Sequence, residues 1–153
     1  MPITLRPATR EDLPTLLEFE QGIILAERPM DPTLRSDPIS YYDIGELIDR
    51  EDAEVLVAVD GDLLVGSGYV KEKASRHYVQ PAVHAFLGFM YVRPEYRGQG
   101  INGRVTEALL NWARTRGLTE ARLTVYTKNP GAIRAYDKVG FEQHLIEMRK
   151  PLE

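Results

Sequence analysis

The sequence predicts a single α/β domain (residues 1–153) in which one mixed, largely antiparallel sheet is flanked by helices. Three observations support this prediction. Strand-like apolar runs alternate with amphipathic helical segments, a Val/Leu-rich hairpin is centred on Asp60-Gly61, and a glycine-rich turn joins an apolar strand to a long helix. The predicted order of elements is β-α-α-β-β-β-α-β-α-β. With 153 residues the chain is long enough to bury a core of its own.

The first half of the chain predicts a short strand and two helices. "ITLRPA" alternates Ile3 and Leu5 as a strand does, and Thr9 is placed to cap a helix that runs through Phe19. Ser40 is placed to start a second helix, "YYDIGELIDR". The segment between them, "ERPMDPTLRSDPIS", carries three prolines and predicts a long irregular loop from Glu27 to Ser40.

The middle of the chain predicts three strands. "AEVLVAVDGDLLVGSGYVKE" contains two Val/Leu-rich runs joined by Asp60-Gly61, which is a favoured hairpin turn. "VHAFLGFMYV" is apolar on both faces and therefore predicts a central strand.

The last part of the chain predicts a helix, a strand, a short helix and a final strand. Apolar residues from Ile101 to Ala113 share one helical face, and Gly117 ends that helix. "ARLTVYT" alternates like a strand, and Asn129-Pro130 begins a short helix that reaches Lys138. "GFEQHLIEMRK" is predicted to close the chain as a strand.

Composition excludes several kinds of chemistry. The chain has no cysteine, which rules out disulfides, thiolate nucleophiles and cysteine-ligated metal. The three histidines, His77, His84 and His144, are not spaced as a metal pair, so no metal site is expected. The net charge of −4 argues against a nucleic-acid partner. Neither a membrane-spanning run nor a signal-peptide pattern is present, so no membrane association and a cytoplasmic location are expected.

The segment "YVRPEYRGQGINGR" predicts a binding site for an anion. A buried strand ends at Val92, and closely spaced glycines then lead into a helix whose first amides have no partner within the helix. Those amides and the positive end of the helix dipole favour a phosphate or pyrophosphate. Arg93, Arg97 and Arg104 add positive charge. A tight strand-to-helix turn that simply needs glycine is the alternative interpretation.

Two common phosphate-binding motifs do not fit this segment. A P-loop requires a lysine and a hydroxyl residue directly after the glycines, and neither is present. Gly98, Gly100 and Gly103 do match the letters of a dinucleotide-binding fingerprint. That fingerprint belongs at the first strand of a parallel sheet, however, whereas this turn follows the fourth predicted strand.

Two motifs together resemble the GNAT (Gcn5-related N-acetyltransferase) family. "MYVRPEYRGQGIN" is similar to the family's acetyl-CoA signature, Arg/Gln-x-x-Gly-x-Gly/Ala, with Arg97, Gly100 and Asn102 in its three places. "NPGAIRAYDKVGF" is similar to the family's downstream motif, through Asn129, Ala132, Tyr136, Gly140 and Phe141. The opening "ITLRPATREDLPTLLEF" is also typical of the family, so the resemblance covers nearly the whole chain outside the loop.

The resemblance implies a GNAT-like fold, acetyl-CoA as co-substrate without a metal, and an acyltransferase activity. The turn would hold the coenzyme A pyrophosphate, the pantetheine arm would lie along the preceding strand, and the strand after the helix would diverge to leave a V-shaped gap. The implied cofactor-binding residues are Met90, Tyr91, Val92, Arg97, Gly98, Gln99, Gly100, Ile101, Asn102, Gly103 and Asn129. Asn102 departs from the family's usual glycine or alanine and puts a larger side chain beside the phosphates.

The chemistry requires a neutral amine and a proton for the leaving thiolate. A lysine-like amine is neutral in only about one of 2,500 molecules at pH 7, a deficit near 4.6 kcal/mol. Without a cysteine, direct attack in a ternary complex is favoured over an acetyl-enzyme. Tyr136 is the candidate general acid, because a phenol with a pKa of about 10 is close to a thiol at about 8.5. The alternative for Tyr136 is an amphipathic packing residue.

The general base stays unassigned. Many family members carry a glutamate on the central strand where this chain has Gly88. Strand parity predicts His84, Phe86 and Met90 on the same face as Gly88, but His84 lies about 13 Å along the strand and cannot replace it. Water, or a carboxylate from the segment between Glu27 and Asp43, is the alternative.

The resemblance places the acceptor pocket beside the loop and the helix after it. Its predicted substrate-binding residues are Glu27, Arg28, Tyr41 and Tyr42. The predicted function is therefore acetyl transfer to a primary amine of a small molecule or amino acid. A protein or peptide acceptor is one alternative, and a non-catalytic acetyl-CoA-binding sensor or interaction module is another. A homodimer is expected because dimers are common in such folds.

Overall fold

A computed structural model describes residues 2–153. The helices and strands are β1 (Ile3–Pro7), α1 (Leu13–Glu27), α2 (Ile44–Asp49), β2 (Ala53–Asp60), β3 (Leu63–Ala74), β4 (Val83–Val92), α3 (Ile101–Thr115), β5 (Ala121–Arg122) and α4 (Pro130–Lys138). Single 3-10 turns precede α1, follow α1 and precede α3, at Arg10–Asp12, Arg28–Met30 and Pro94–Tyr96.

The strands form one sheet in the order β1-β2-β3-β4-β5. The first four strands pair antiparallel, and β5 pairs parallel to β4. The hairpin predicted at Asp60-Gly61 is confirmed, with Asp60 opposite Leu63 and Gly61 in the left-handed conformation at φ 63°. The prediction of a mixed, largely antiparallel sheet flanked by helices is therefore confirmed.

Helices cover both faces of the sheet and create two separate cores. On one face α1 and α2 pack against β2, β3 and β4, and the largest buried side chains include Leu16, Ile44 and Phe89. On the opposite face α3 packs against the same strands through Val105 and Leu109, both fully buried. Hydrophobic burial on both faces explains why β2 and β4 read as continuous apolar runs.

The first two helices differ from their predicted bounds. The helix predicted to stop at Phe19 continues to Glu27, because its apolar residues keep helical spacing until Pro29 follows. The second helix begins at Ile44 rather than near Ser40. Its cap is Asp43, whose side chain accepts a hydrogen bond from the Glu46 amide at 3.1 Å.

The predicted α3 and α4 are confirmed. Gly117 follows α3 with φ 76°, and the Asn129 side chain caps α4 by accepting the Ala132 amide at 3.2 Å. The strand predicted over "ARLTVYT" is reduced to two residues, Ala121–Arg122. The final strand predicted over "GFEQHLIEMRK" is wrong, because residues 140–150 carry no regular secondary structure and are mostly exposed. Alternating apolar residues form a strand only when another strand supplies hydrogen-bond partners.

β4 contains a bulge that changes the predicted faces. Phe89 has φ 58°, the one positive φ among non-glycine residues in 2–153, and the β3–β4 register shifts between Ser67 and Tyr69. Beyond the bulge, Phe89 and Tyr91 face α1, whereas Met90 faces α3. The prediction that Met90 shares the face of Gly88 is wrong, since an inserted residue inverts the alternation of the strand.

Candidate active site

The glycine turn ends in an uncapped helix start. Gly98 and Gly100 adopt φ values of 80° and 79°, which other residues rarely do, and Gly100 is the N-cap of α3 without any side-chain hydrogen bond. The first helical bond runs from the Arg104 amide to the Gly100 carbonyl at 3.1 Å. The amides of Ile101, Asn102 and Gly103 consequently have no partner within the helix and point out of its N-terminal end.

The space in front of these amides is open. A β-carbon added at Gly98, Gly100 or Gly103 would meet nothing within 4 Å. The side chain of Ile101, in contrast, is buried in the α3 core, so only its backbone faces this space. An open concavity at the positive end of a 15-residue helix has the shape and the charge that suit a phosphate group.

Two of the three predicted arginines are partly engaged by the protein. Arg93 donates through Nε to the Leu64 carbonyl at 2.6 Å, and its guanidinium lies 5.1 Å from the centre of the Phe19 ring. Arg97 donates through Nε to the Val92 carbonyl at 2.8 Å. Arg93 therefore braces the end of the strand, whereas Arg97 reaches across the turn with the rest of its guanidinium exposed.

β4 and β5 separate soon after they meet. Their parallel ladder consists of Ala85 opposite Ala121 and Phe86 opposite Arg122, and β5 then leaves the sheet. The remaining edge of β4, including Met90, Tyr91 and Val92, therefore faces a gap on this side. The divergence that the family resemblance implies is present, and it ends beside the glycine turn.

Tyr136 lies on α4, the helix that follows this gap. Its ring contacts Phe141 edge to face, with centroids 5.9 Å apart. Burial, with the negative charge of Glu27 as the second cause, raises the pKa of Tyr136 to about 12. The phenol is thus protonated throughout the neutral range. It is also a weaker acid than the free phenol assumed from the sequence, because burial disfavours the charged phenolate.

Tyr69 packs directly against Gly88, the position on β4 where many family members carry a glutamate. A β-carbon at Gly88 would lie 2.7 Å from Cζ and from the hydroxyl oxygen of Tyr69. Tyr69 is itself buried, with 4% of its surface exposed, and packs edge to face on Tyr42. The aromatic ring occupies the place where a side chain from position 88 would begin, so a glutamate there would have to displace Tyr69.

Glu20 is a buried acid beside the predicted acceptor residues that the sequence interpretation missed. Its carboxylate is almost completely buried at 1% exposure, and Oε2 accepts hydrogen bonds from the amides of both Tyr41 and Tyr42 at 2.8 Å. These bonds attach the irregular loop to α1. The signal was present, because Glu20 stands at an apolar position in the helical spacing of α1, where an acid is buried only if it is paired.

Asp31 is a second buried acid that joins distant parts of the chain. It accepts hydrogen bonds from the Tyr126 hydroxyl at 2.9 Å, from Arg149 at 3.1 Å and from the Thr33 amide at 3.0 Å. The hydrogen bonds from Thr33, followed by those from Arg149 and Tyr126, hold the pKa of Asp31 well below its usual range. The loop, the segment after β5 and the end of the chain are thereby connected.

Glu27 and Tyr41, both predicted acceptor residues, are neighbours at the end of α1. Burial raises the pKa of the Glu27 carboxyl, and the Tyr41 hydroxyl opposes that change. The pKa of Tyr41 is raised as well, mainly by burial and secondly by the neighbouring Glu27 carboxylate. The Tyr41 hydroxyl is buried yet has no partner in hydrogen-bond geometry among residues 2–153, so its contact with Glu27 is a loose one. An unpaired buried hydroxyl costs about 1–3 kcal/mol unless another molecule satisfies it.

The other predicted residues are placed as follows. Tyr42 lies against Tyr69 and Phe89, with ring centroids 5.3 and 5.5 Å away. Arg28 is directed into the loop instead, where it donates to the Arg35 carbonyl at 2.8 Å and pairs with Asp37. Asn129 uses its side-chain oxygen as the cap of α4.

His84 is a packing residue at the far end of β4. It is 4% exposed, and its Nδ1 lies 2.7 Å from the Ser75 hydroxyl. Burial lowers its pKa. His84 therefore has a structural role, and this agrees with the earlier argument that it lies too far along the strand to replace a base at position 88.

Two clefts lie on the α2 side of the molecule. The smaller, of about 250 Å³, is lined by Tyr41, Tyr42, Asp43, Glu46, Leu47, Arg50, Tyr69 and Lys71, and the larger, of about 770 Å³, lies between α1 and α2. Neither cleft includes the glycine turn or Tyr136. Within residues 2–153, no three acidic or histidine side chains are grouped to hold a metal ion, and no helix is long and apolar enough to cross a membrane.

Comparison with known proteins agrees with this geometry. Two curated relatives are similar: N-alpha-acetyltransferase 30 of Schizosaccharomyces pombe (28% identical, 69% of each chain) and an aminoglycoside N(6')-acetyltransferase type 1 of Stenotrophomonas maltophilia (26% identical, 98% of this chain and 94% of the relative).

Solved structures share the fold. A tetramutant of the BH1408 protein from Bacillus halodurans superimposes with a TM-score of 0.86 at 21% identity, over 97% of this chain and 99% of that one. A predicted acetyltransferase from Clostridium acetobutylicum, solved with acetyl-CoA, gives 0.71 at 16% identity, over 97% of this chain and 96% of that one. The model of the acetyltransferase (GNAT) family matches residues 21–141, well over half of the sequence. The chain therefore belongs to the GNAT family of N-acetyltransferases.

Proposed function

We propose that this protein transfers the acetyl group of acetyl-CoA to a primary amine of a small molecule or amino acid, by direct attack in a ternary complex. The observation that carries the proposal is the uncapped start of α3 behind the left-handed Gly98 and Gly100, which opens beside the gap between β4 and β5. When bound, acetyl-CoA supplies the activated acetyl thioester. Residues Arg97 to Gly103 would hold its pyrophosphate through backbone amides and the Arg97 guanidinium.

The remaining predicted residues fit the same arrangement. The unpaired edge of β4 from Met90 to Val92 faces the gap in which an extended pantetheine arm would lie. Asn102 is compatible with this role, since its amide can donate a hydrogen bond to a phosphate oxygen. Tyr136, which stays protonated, would donate its hydroxyl to the thiolate as the carbon–sulfur bond breaks.

Tyr41 and Tyr42 support the placement of the acceptor on the α1–α2 side. Both line the cleft of about 250 Å³, and Glu20 fixes their backbone. Relatives with small acceptors favour a small amine, since an aminoglycoside acetyltransferase aligns over 98% of this chain. A protein N-terminus is the second candidate acceptor, favoured by the similarity to N-alpha-acetyltransferase 30.

The experiment compares two glycines at opposite ends of α3. Gly100 and Gly117 have φ values of 79° and 76°, and an added β-carbon meets nothing within 4 Å at either site. Gly100→Ala and Gly117→Ala should each lower stability by about 1–2 kcal/mol because a left-handed conformation is costly for alanine. Only Gly100→Ala places a methyl group in the pyrophosphate site.

We expect acetyl-CoA binding, measured by calorimetry, to weaken at least about tenfold in Gly100→Ala and to stay unchanged in Gly117→Ala. In a separate assay of the unchanged protein, we expect free thiol to be released from acetyl-CoA when a panel of primary amines is added. Equal affinities in the two variants, or no thiol release with any amine, would refute the proposal. The cytoplasmic location, the homodimer and the lack of a metal, a nucleic-acid partner and a membrane stay predictions of the sequence.

A further inference from the structure

Glu27 stands where three separate segments meet. It is the last residue of α1 and is half-buried, and its carbonyl accepts the Asp31 amide at 3.2 Å, which folds the loop back over the helix end. Tyr41 reaches its carboxylate from the loop. The negative charge of Glu27 is also among the causes that raise the pKa values of Tyr136 on α4 and of Tyr126 after β5, in both cases behind burial.

The other acids of this region are already engaged. Glu20 uses one carboxylate oxygen for the amides of Tyr41 and Tyr42 and is sealed from solvent. Asp31 accepts from Thr33, Tyr126 and Arg149, and these donors stabilise its ionised form. Glu27 has only the loose contact of the Tyr41 hydroxyl, and burial disfavours its charge. Among these carboxylates, Glu27 is therefore the one best able to take up a proton.

The hydroxyl of Tyr41 supplies a second indication. It is buried beside Glu27 and has no hydrogen-bond partner among the described residues. Glu20 holds the Tyr41 backbone in place by accepting its amide hydrogen bond at 2.8 Å. A polar group bound between Tyr41 and Glu27 would satisfy both side chains.

We propose that Glu27 is the general base of the acetyl transfer and that the acceptor is a cationic primary ammonium, which is drawn between Glu27 and Tyr41. This assignment rests on the proposed function. Gly88 leaves no carboxylate on β4, and Glu27 provides one from the end of α1.

The protons balance in the following way. The acceptor ammonium gives one proton to the Glu27 carboxylate, and the resulting neutral amine forms a bond to the acetyl carbon. The carbon–sulfur bond breaks, and the Tyr136 hydroxyl protonates the leaving thiolate. The nitrogen of the new amide loses its second proton to the tyrosinate, and Glu27 later returns its proton to solvent. The products are one amide, one thiol and one released proton.

The test compares Glu27→Gln with Glu18→Gln, which removes the same charge from an exposed position of the same helix. Two acceptors are used: an alkyl amine, which is protonated in the assay, and an aromatic amine, which is neutral throughout its pH range. For Glu27→Gln we expect kcat/KM for the alkyl amine to fall at least about a hundredfold, with less than about a threefold change for the aromatic amine. Glu18→Gln should match the unchanged enzyme, and acetyl-CoA binding should be unaffected in both variants.

The pH profile with the alkyl amine provides the second readout. Because burial raises the pKa of Glu27, the rate of the unchanged enzyme should fall on the acid side at a pH above the ordinary glutamate value of 4.5. Tyr41, Tyr42, Asp31, Tyr126, Tyr136 and Arg149 are the other titratable groups around this site, and we expect none of them to titrate in that range. The acid limb should vanish in Glu27→Gln.

A retained acid limb in Glu27→Gln, or equal losses with both amines, would overturn the assignment and leave the acetyltransferase itself intact. If the unchanged protein releases no thiol with any primary amine, the proposed function fails first and Glu27 loses its role with it.

Discussion

The close contact between Gly88 and Tyr69 makes a quantitative prediction about stability. A β-carbon at Gly88 would lie 2.7 Å from the Tyr69 ring, whereas carbon atoms normally approach to about 3.5–4.0 Å, so the ring or the strand must move by about 0.8–1.3 Å. Tyr69 is 4% exposed and has little room to move. Overpacking of this kind costs about 1–3 kcal/mol, so Gly88→Ala should lower Tm by roughly 2–12 °C.

Backbone strain does not contribute to the expected loss of stability in Gly88→Ala, because Gly88 is not among the glycines with positive φ. The matched experiment introduces Gly88→Ala together with Tyr69→Val, which removes the ring. Tyr69→Val alone should cost about 2–4 kcal/mol through the cavity it leaves. In that background Gly88→Ala should be neutral or stabilise by up to about 1 kcal/mol, because alanine is less costly than glycine within a strand.

Urea unfolding followed by circular dichroism measures all four proteins of this cycle. The expected coupling energy between the two positions is about 1–3 kcal/mol. Additive effects, or a Gly88→Ala variant as stable as the unchanged protein, would show that Tyr69 does not exclude a side chain from position 88. The explanation for the missing glutamate would then be lost.

Three further predictions concern the site. Tyr136→Phe should lower kcat about a hundredfold in steady-state thiol release while calorimetry shows unchanged acetyl-CoA binding, and an unchanged kcat would remove the tyrosine from the mechanism. Asp31→Asn should destabilise the protein most near neutral pH: the folded-state pKa of Asp31 lies below its unfolded value of 3.8, so its contribution is complete above that pH and is lost as the pH falls. Thermal unfolding of both proteins from acid to neutral pH checks this, and a difference that does not shrink on acidification contradicts it. Glu20→Ala should lower the free energy of unfolding in urea by at least about 2 kcal/mol and raise KM for the amine substrate, because two buried amides lose their hydrogen-bond partner. Glu20→Gln keeps an oxygen at this place and should lose less stability. Equal losses in the two variants would argue against this role.

Much of the fold follows from local pattern. The β2–β3 hairpin, the bounds of β4 and the start of α3 depend on residues that are neighbours in sequence, namely the Asp60-Gly61 turn, an unbroken apolar run and closely spaced glycines. The cap of α4 at Asn129 is likewise a local hydrogen bond. Such elements can be predicted because the groups that stabilise them lie within a few residues of one another.

The errors arise where partners are distant in sequence. The last predicted strand has a suitable alternation but no neighbouring strand to pair with, and β5 stops after Arg122 because it leaves β4. The face of Met90 depends on a bulge opposite β3, which no alternation within β4 reveals. Strand length and register are properties of a pair of strands.

By itself the sequence determined the α/β fold class, the absence of cysteine chemistry and the turn from Arg97 to Gly103 that marks the family. Only the tertiary structure decided the arrangement around the acceptor: the ring of Tyr69 in the place of a β4 side chain, Glu20 beneath the tyrosine pair, and Glu27 among hydroxyl groups from three segments. The reason is physical. A helix start offers its amides through local backbone geometry alone, whereas the proton affinity of a carboxylate depends on burial and on neighbours that folding brings from distant parts of the chain.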